Sequence, residues 1–154
     1  MLSTKIAKLL ENREFVDVAT CDFSGRPNAA PKFILKFENN FIYLVDYTIG
    51  TTWENLKINP RVSLSFMEPD TLVGYQINGS VEIIDKGPEY NSLLSEFKRK
   101  EIDLSIKRVI EGVYRGKGHK TFEVSLPERF VVFKVKLEDI AEIGPRGELK
   151  REKV

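Results

Sequence analysis

The sequence predicts a mainly β, antiparallel domain, either a barrel or a sandwich, with short helices at the strand connections. Roughly seven segments are short and rich in β-branched and aromatic residues, and turn residues separate them. Apolar and polar residues alternate along most of these segments, as they do on strands with one buried face. Short turns between consecutive strands favour antiparallel pairing. The 154 residues are enough for one domain with its own core.

A short helix and three strands are predicted for the first part of the chain. The helix covers residues 4–12, where Ile6, Leu9 and Leu10 share one face. The strands are predicted at residues 15–21, 28–37 and 41–46. Glu38-Asn39-Asn40 is the turn between the last two, because Asn tolerates positive φ. The third strand is apolar on both faces, so we expect it to lie centrally in the sheet.

A second short helix is predicted to follow the third strand. Thr51 and Glu54 fit a capping box, with Thr51 as the N-cap. The helix should end at Asn59, because Pro60 pushes the residue before it out of the α region. Free backbone N–H groups at such a helix start can bind an anion. A cap without a ligand is the commoner role of these hydroxyl residues, so both interpretations stay open.

Two further strands are predicted at residues 61–67 and 72–84. Gly79 inside the longer strand indicates a bulge or a close backbone approach. Gln76, Asn78 and Ser80 share one face of that strand. Such a polar face is solvated, lines a cavity or forms a subunit interface. Because the strand is too long to be left as an unprotected edge, we expect it, with part of the Thr51 helix, to form the interface of a homodimer.

Helical pieces are predicted from Gly87-Pro88 to Gly112. The charge run at residues 98–101 is either a solvated helix face or a break between two helices. A basic, glycine-containing loop follows at residues 114–120. Two last strands contain Phe122–Leu126 and Val131–Leu137, and residues 144–154 are predicted to be a frayed, charged tail.

Composition and charge disfavour several classes of protein. The formal net charge is +1, whereas nucleic-acid-binding proteins usually have a basic excess. No apolar run approaches the ~20 residues of a membrane-spanning helix. The N-terminal segment lacks the apolar core and cleavage site of a signal peptide, and Cys21 is the only cysteine. We therefore expect a cytoplasmic protein with neither nucleic acid nor membrane as a partner.

The residues show no evident catalytic constellation. His119 is the only histidine and is far in sequence from Cys21, so neither a zinc site nor Ser-His-Asp catalysis is indicated. Both residues are predicted to be non-catalytic, with His119 solvated and Cys21 a buried, inert thiol. Any redox chemistry would have to come from a bound cofactor.

Several segments, taken in order, carry a family resemblance. They are Val18-Ala19-Thr20 with Gly25-Arg26-Pro27, Pro31 to Lys36, Thr52 to Val62 with its Asn55-Leu56-Lys57 and Asn59-Pro60, Ile77 to Val81, and Gly87 to Tyr90. Together they resemble the flavin mononucleotide (FMN)-binding split-barrel family, which includes the pyridoxamine 5′-phosphate oxidases. The resemblance implies a single split-barrel domain at residues 1–143, of about six to seven strands. It also implies a family-variable insertion at residues 98–126, followed by the charged tail.

The resemblance implies a homodimer with FMN at the subunit interface. The residues that match the family's cofactor-binding positions are Lys32, Phe33, Val45, Asp46, Tyr47, Gly50, Thr51 and Thr52. Lys32 matches a basic phosphate ligand, and Thr51 and Thr52 match the phosphate-binding loop. Many members have Lys or Arg at one of those two loop positions, and this chain has neither. Arg61 or the loop at residues 115–120 are the candidate substitutes.

The resemblance implies an FMN-dependent oxidoreductase that uses NAD(P)H or another small-molecule donor. Two alternatives stay open. One is a non-catalytic flavin-binding or electron-carrier protein, and the other is a dimeric split barrel that no longer binds flavin. The substrate-binding residues of a true pyridoxamine 5′-phosphate oxidase are not recognisable, so that particular activity is not predicted.

Overall fold

The computed structural model describes residues 2–47, 50–114 and 130–154. Within these ranges the chain forms three helices and seven strands. They are α1 (Leu2–Glu11), β1 (Phe15–Cys21), β2 (Pro27–Glu38), β3 (Phe41–Tyr47), α2 (Thr51–Ile58), β4 (Arg61–Glu68), β5 (Val73–Ile84), α3 (Pro88–Tyr114), β6 (Phe130–Ile143) and β7 (Leu149–Lys153). The first five predicted strands are found with ends within one residue of those expected. No helix in the described part of the chain is long and apolar enough to cross a membrane.

The described strands form one antiparallel sheet in the order β3-β2-β1-β4-β5-β6-β7. A further pairing of β3 with β6, in register from Phe41 with Lys136 to Tyr47 with Phe130, closes the first six strands into a barrel. Strand β7 lies outside the closed barrel and pairs with the second half of β6. The predicted fold class, a mainly β antiparallel split barrel, is confirmed.

The turn between β2 and β3 forms as predicted. Asn39 and Asn40 have φ values of 51° and 65°, and Glu38 lies directly opposite Phe41. Two successive residues with positive φ form the turn whose twist matches that of antiparallel strands. The register of β2 and β3 shifts between Ile34 and Lys36, which marks a bulge in β2.

Two apolar clusters lie on opposite sides of the barrel wall. The interior cluster includes Ile34, Ile42 and Leu44, and α1 contributes Ile6 and Leu10 to it. The outer cluster packs beneath α3. It contains Leu35, Tyr43, Val45, Ile84, Leu93, Phe97, Phe130 and Val132. Strand β3 therefore has buried side chains on both faces and a hydrogen-bonded neighbour on each side, which confirms its predicted central position.

Another part of the outer surface of the sheet remains accessible in the single chain, and we call it the open face. It consists of two cross-strand rows of residues. The rows are Ala29, Ala19, Ser63, Asn78, Asp139 and Lys153, and Pro31, Asp17, Ser65, Gln76, Ala141 and Arg151. Most of these side chains are exposed or half-buried, whereas their strand neighbours Val18, Leu64 and Ile77 are buried in the core.

Helix α3 runs without a break through residues 98–101, which excludes a break between two helices, one of the two interpretations of this charge run. Lys, Arg and Glu are good helix formers, and a run of them interrupts apolar periodicity without interrupting the backbone. Lys98 and Arg99 of this run are exposed, whereas Lys100 and Glu101 are half-buried, so only part of the run is a solvated helix face.

The prediction of a frayed tail is wrong, because residues 149–153 form strand β7. Ile143 pairs with Leu149, and Gly147 has the positive φ of 87° that this turn requires. Strand β7 is held by backbone pairing and buries little apolar surface. Its charged sequence therefore lacks the apolar alternation from which strands are predicted. Charged side chains are common on edge strands because they discourage pairing with other chains. The predicted strand Phe122–Leu126 and the loop at 115–120 lie outside the described residues.

Gly79 fulfils both interpretations of its position in β5. The pairing of β5 with β6 shifts register between Asn78 and Gly79, so a bulge is present. A Cβ atom at Gly79 would collide with the backbone carbonyl oxygen of Lys136. The extra residue of the bulge is Glu138 of β6, and β5 needs glycine at position 79 for the close backbone approach.

Candidate functional site

The predicted basic ligand, Lys32, is engaged in a buried ion pair. Its Nζ atom lies 2.9 Å from Oδ1 of Asp46, and the two side chains are only 14% and 6% exposed. They lie on adjacent antiparallel strands, where Lys32 precedes Phe33 and Asp46 follows Val45, and Phe33 and Val45 are paired. Alternation along β2 and β3 places both on the barrel-interior side, with Ile34 and Leu44. The structure therefore brings two predicted site residues together and gives the lysine an internal partner.

Helix α2 begins differently from the prediction. Its N-cap is Gly50, with φ of 105°, and no side chain caps the helix. The backbone N–H of Glu54 donates to the carbonyl oxygen of Gly50, at 3.2 Å. Thr51 is the first helical residue and is exposed, so its assignment as N-cap is wrong. Glycine adopts this positive φ readily, and that conformation directs the chain into the helix without a hydroxyl cap.

The second threonine, Thr52, has a different environment. It is buried, and its Oγ1 atom accepts a hydrogen bond from Nδ2 of Asn28, at 3.1 Å. Asn28 lies on the same face of β2 as Lys32, four residues away, with the small Ala30 between them. Four residues of an extended strand span roughly 13 Å. Asn28 and Lys32 therefore mark the two ends of a short polar strip along β2, with the start of α2 at the Asn28 end.

Two more amides attach α2 to the barrel. Nδ2 of Asn55 donates to Oγ1 of Thr20, and Nδ2 of Asn59 donates to the carbonyl oxygen of Cys21, each at 3.1 Å. The functions of Asn28 and Asn55 were missed in the sequence. A signal was present, because Thr52, Asn55 and Asn59 recur at spacings of three and four and so share one helix face.

Two of the predicted cofactor-binding residues, Phe33 and Val45, lie on the outer side of the barrel wall. Phe33 packs edge-on against Phe97 of α3, with ring centroids 5.6 Å apart, and Val45 belongs to the same outer cluster. The C-terminal residue of β3, Tyr47, pairs through its backbone with Phe130. The structure therefore divides the predicted residues between the interior side, the outer cluster and the start of α2.

The charged side chains of α2, and Arg61 at the start of β4, are either negative or already engaged with a partner. Glu54 lies in the first turn of the helix, where a carboxylate opposes the approach of an anion. Lys57 places its Nζ 3.5 Å from the ring centroid of Trp53, which packs against the core. Arg61, one proposed substitute for the missing loop lysine, forms a two-pronged ion pair with Glu138. Over the described residues no group of His, Cys, Asp and Glu side chains could hold a metal ion.

Comparison with known proteins adds to this geometry. A sequence model described as pyridoxamine 5′-phosphate oxidase matches residues 2–143. A comparison with curated proteins found no match.

Several solved structures share the fold. A Clostridium acetobutylicum protein related to general stress protein 26 of B. subtilis is 18% identical, with a TM-score of 0.70, over 98% of this chain and 93% of the other. An FMN-binding, pyridoxamine 5′-phosphate oxidase-related protein from Nostoc punctiforme is 15% identical, with a TM-score of 0.58, over 99% and 93%. A heme-binding protein from Mycobacterium smegmatis is 14% identical, with a TM-score of 0.66, over 99% and 58%. At these identities the neighbours establish the fold alone.

The family model covers nearly the whole described barrel, from α1 through β6, and the neighbours share its topology. The chain belongs to the pyridoxamine 5′-phosphate oxidase family.

Proposed function

We propose that this protein binds FMN and acts as a dimeric oxidoreductase, with NAD(P)H or another small molecule as the electron donor. The observation that carries the proposal is the polar strip on β2. It presents the ammonium group of Lys32 and the amide of Asn28 on one face, and the N-terminus of α2 lies at its Asn28 end. A cation, an amide and free backbone N–H groups together suit a phosphate ester. Family membership and the FMN-binding neighbour support the same ligand.

The hydroxyl groups at the start of α2 also fit a phosphate. Oγ1 of Thr52 accepts from Asn28, so its own proton is available to donate to a phosphate oxygen. Thr51 is exposed at the first helical position, with its hydroxyl accessible. In this assignment Lys32, Thr51 and Thr52 hold the phosphate and Gly50 lets the backbone approach it. Phe33, Val45 and Tyr47 border the rest of the cofactor, and Asp46 lies beside the phosphate position as the partner of Lys32. A bound flavin supplies the hydride and electron transfer, and the chain supplies binding and orientation.

The open face supports the homodimer. Small side chains such as Ala19, Ala29 and Ser65 make this surface flat, and exposed apolar side chains add to the same sheet. They are Phe15 at 50%, Met67 at 55% and Leu149 at 64%. Large exposed apolar areas mark interaction sites. A second copy of the chain on this face would cover them, together with the polar residues Gln76 and Asn78 for which an interface is predicted.

The test is an absorption spectrum of the purified protein, followed by titration with FMN, riboflavin and hemin. Flavin bands and saturable FMN binding are expected, and NAD(P)H oxidation that depends on added FMN would establish the oxidoreductase. FMN binding without turnover would leave only the electron-carrier alternative. A Soret band with hemin and no flavin binding would overturn the proposal and favour the activity named for the mycobacterial neighbour.

A further inference from the structure

We propose that Asp46 is a positioning residue that limits the affinity of the site for the FMN phosphate by competing for Lys32. The inference rests on the proposed function and specifies how its site selects a ligand. With Asp46 present the site distinguishes FMN from riboflavin weakly, and without it the site becomes selective for the phosphorylated flavin.

The first step is geometric. Lys32 and Asp46 are mostly buried on neighbouring strands of the barrel, and their 2.9 Å separation is that of a charge-assisted hydrogen bond. Both stems are fixed by the sheet, because Phe33 with Val45 and Ile34 with Leu44 are paired immediately beside them. A phosphate that reaches Lys32 therefore also comes close to the carboxylate.

The second step is electrostatic. A phosphate monoester carries a charge of about −1.5 to −2 near neutral pH. The ion pair is neutral as a unit, so most of the attraction of the ammonium for the phosphate is offset by repulsion from Asp46. Glu54 in the first turn of α2 adds a second carboxylate on the approach. The interaction of Lys32 with phosphate is consequently much weaker than that of an unpaired buried lysine.

The third step concerns the remaining ligand groups. Asn28, Thr52 and the N–H groups of α2 are uncharged, so their hydrogen bonds do not depend on the charge of Asp46. The uncharged part of a flavin is likewise insensitive to that carboxylate, to first order. The affinity ratio of FMN to riboflavin thus isolates the effect of Asp46. A merely structural effect would change both affinities together.

The experiment compares wild type with Asp46→Asn, which removes the charge and keeps an oxygen that accepts from Lys32. FMN and riboflavin are titrated separately, with quenching of Trp53, the only tryptophan, as the signal. Asp46→Asn should raise FMN affinity about tenfold or more, the range of one charge-assisted hydrogen bond, and leave riboflavin within about twofold. The gain should be smaller in a Lys32→Met background, because the competition acts through that lysine.

The matched control is Glu89→Gln. It removes one carboxylate from a lysine pair of the same length, 2.9 Å to Lys134, away from the polar strip. It should leave the FMN to riboflavin ratio unchanged, which would exclude an effect of net charge alone. Asp46→Ser is the second variant, should Asp46→Asn fail to fold, because the shorter side chain leaves space for water beside Lys32.

The outcomes separate the inference from the function it rests on. If wild type fails to bind FMN and Asp46→Asn binds it, the competition is supported and flavin binding by the native protein is rejected. If wild type binds FMN and the neutral variants bind it equally or less tightly, the inference is wrong and the proposed function stands. If the variants gain FMN and riboflavin affinity equally, the inference is also wrong. Failure of every variant to bind either flavin would reject both.

Discussion

At the scale of single residues, adjacent side chains in α2 have different functions. Thr51 is exposed and forms no cap, whereas Thr52 is buried and accepts from Asn28. The sequence pattern assigned the capping function to Thr51, because a capping box is identified from residue types and their spacing alone. Gly50 is the N-cap, and it directs the chain into the helix through its backbone conformation. A pattern of side chains does not reveal such a cap.

Thr52→Val should therefore lower the free energy of unfolding of the ligand-free protein by about 1 kcal/mol, the value of one typical hydrogen bond. Thr51→Val, the matched control, should change it by less than about 0.5 kcal/mol, as for an exposed side chain without a partner. Chemical denaturation of both variants measures the difference. An equal loss of unfolding free energy in the two variants would indicate that Thr51 does cap the helix.

Lys100 is a second residue whose function depends on the fold. Its Nζ atom donates to the carbonyl oxygens of Ile34 and Leu35, at 2.7 and 2.9 Å, where the bulge interrupts β2. Burial lowers the pKa of Lys100 below its usual 10.5, and the carboxylate of Glu14 opposes the shift only in part. The ammonium group thus satisfies backbone groups at the bulge and also lies over the ring of Phe33, 5.2 Å from its centroid.

Lys100→Met should destabilise the protein by about 1–3 kcal/mol, because carbonyl groups at the bulge lose their donor. Lys98→Met, an exposed change on the same helix, is the control.

The pH dependence of this loss has a definite sign. The unfolded state binds more protons at this group than the folded state between the lowered pKa and 10.5, so wild type gains stability there as pH rises. The variant lacks this gain, and its deficit in the free energy of unfolding, measured with guanidinium, should grow as the pH rises toward 10.5. A deficit that shrinks over that range would contradict the burial of this lysine.

The Lys32–Asp46 pair shows what sequence reasoning can and cannot reach at this scale. Both residues were selected as candidates through the family resemblance. That they form a pair depends on the register of β2 and β3, which the Asn39-Asn40 turn and the bulge after Ile34 set together. The turn was readable from the sequence. The bulge was not, because its donor, Lys100, is on a helix far along the chain.

At the scale of elements, the hairpins were predictable because their turns carry local signals, as at Asn39-Asn40. Strand β7 was not, since it depends on pairing with β6, and the continuity of α3 stayed open because the charge run interrupts the apolar periodicity. The same distinction applies to Gly79. Its unusual position was visible in the sequence, but the cause, the backbone of Lys136, is on another strand.

Gly79→Ala should destabilise the barrel by about 1–3 kcal/mol, because the added methyl group meets a backbone atom that cannot move aside cheaply. Gly74→Ala in the same strand is the control, since its Cβ would lie 3.8 Å from that of Ile143, an ordinary contact. Thermal unfolding of the two variants would test this. Similar midpoints for both would show that the bulge can absorb a side chain.

At the scale of the whole molecule, the barrel is covered unevenly. Helix α3 buries one part of its outer surface, and the open face leaves another accessible. The outline of the fold was predictable from the sequence, whereas the interface expected along the polar side of β5 stays a prediction. The extent of the open face was not, because it includes residues from six strands that only the complete sheet brings together.

Ala29→Arg should convert a dimer of twice 17.7 kDa into a monomer, because it places a long charged side chain within the flat, small-residue part of the open face. Ser92→Arg, an equally exposed change on α3, should leave the dimer intact. Light scattering at micromolar concentration distinguishes the two masses. A monomeric wild type, or a dimeric Ala29→Arg variant, would contradict an interface on this face.

The position of β6 also has a consequence for how the chain folds as it is synthesised. Strands β1 to β3 and the β4–β5 hairpin can pair locally as they leave the ribosome. The edges of β3 and β5 then remain unpaired until residues 130–143 emerge and join both of them. Such distant pairing is slow, and open edges invite association with other chains in the meantime. A nascent chain is therefore most prone to associate with other chains during the interval between completing β5 and releasing β6.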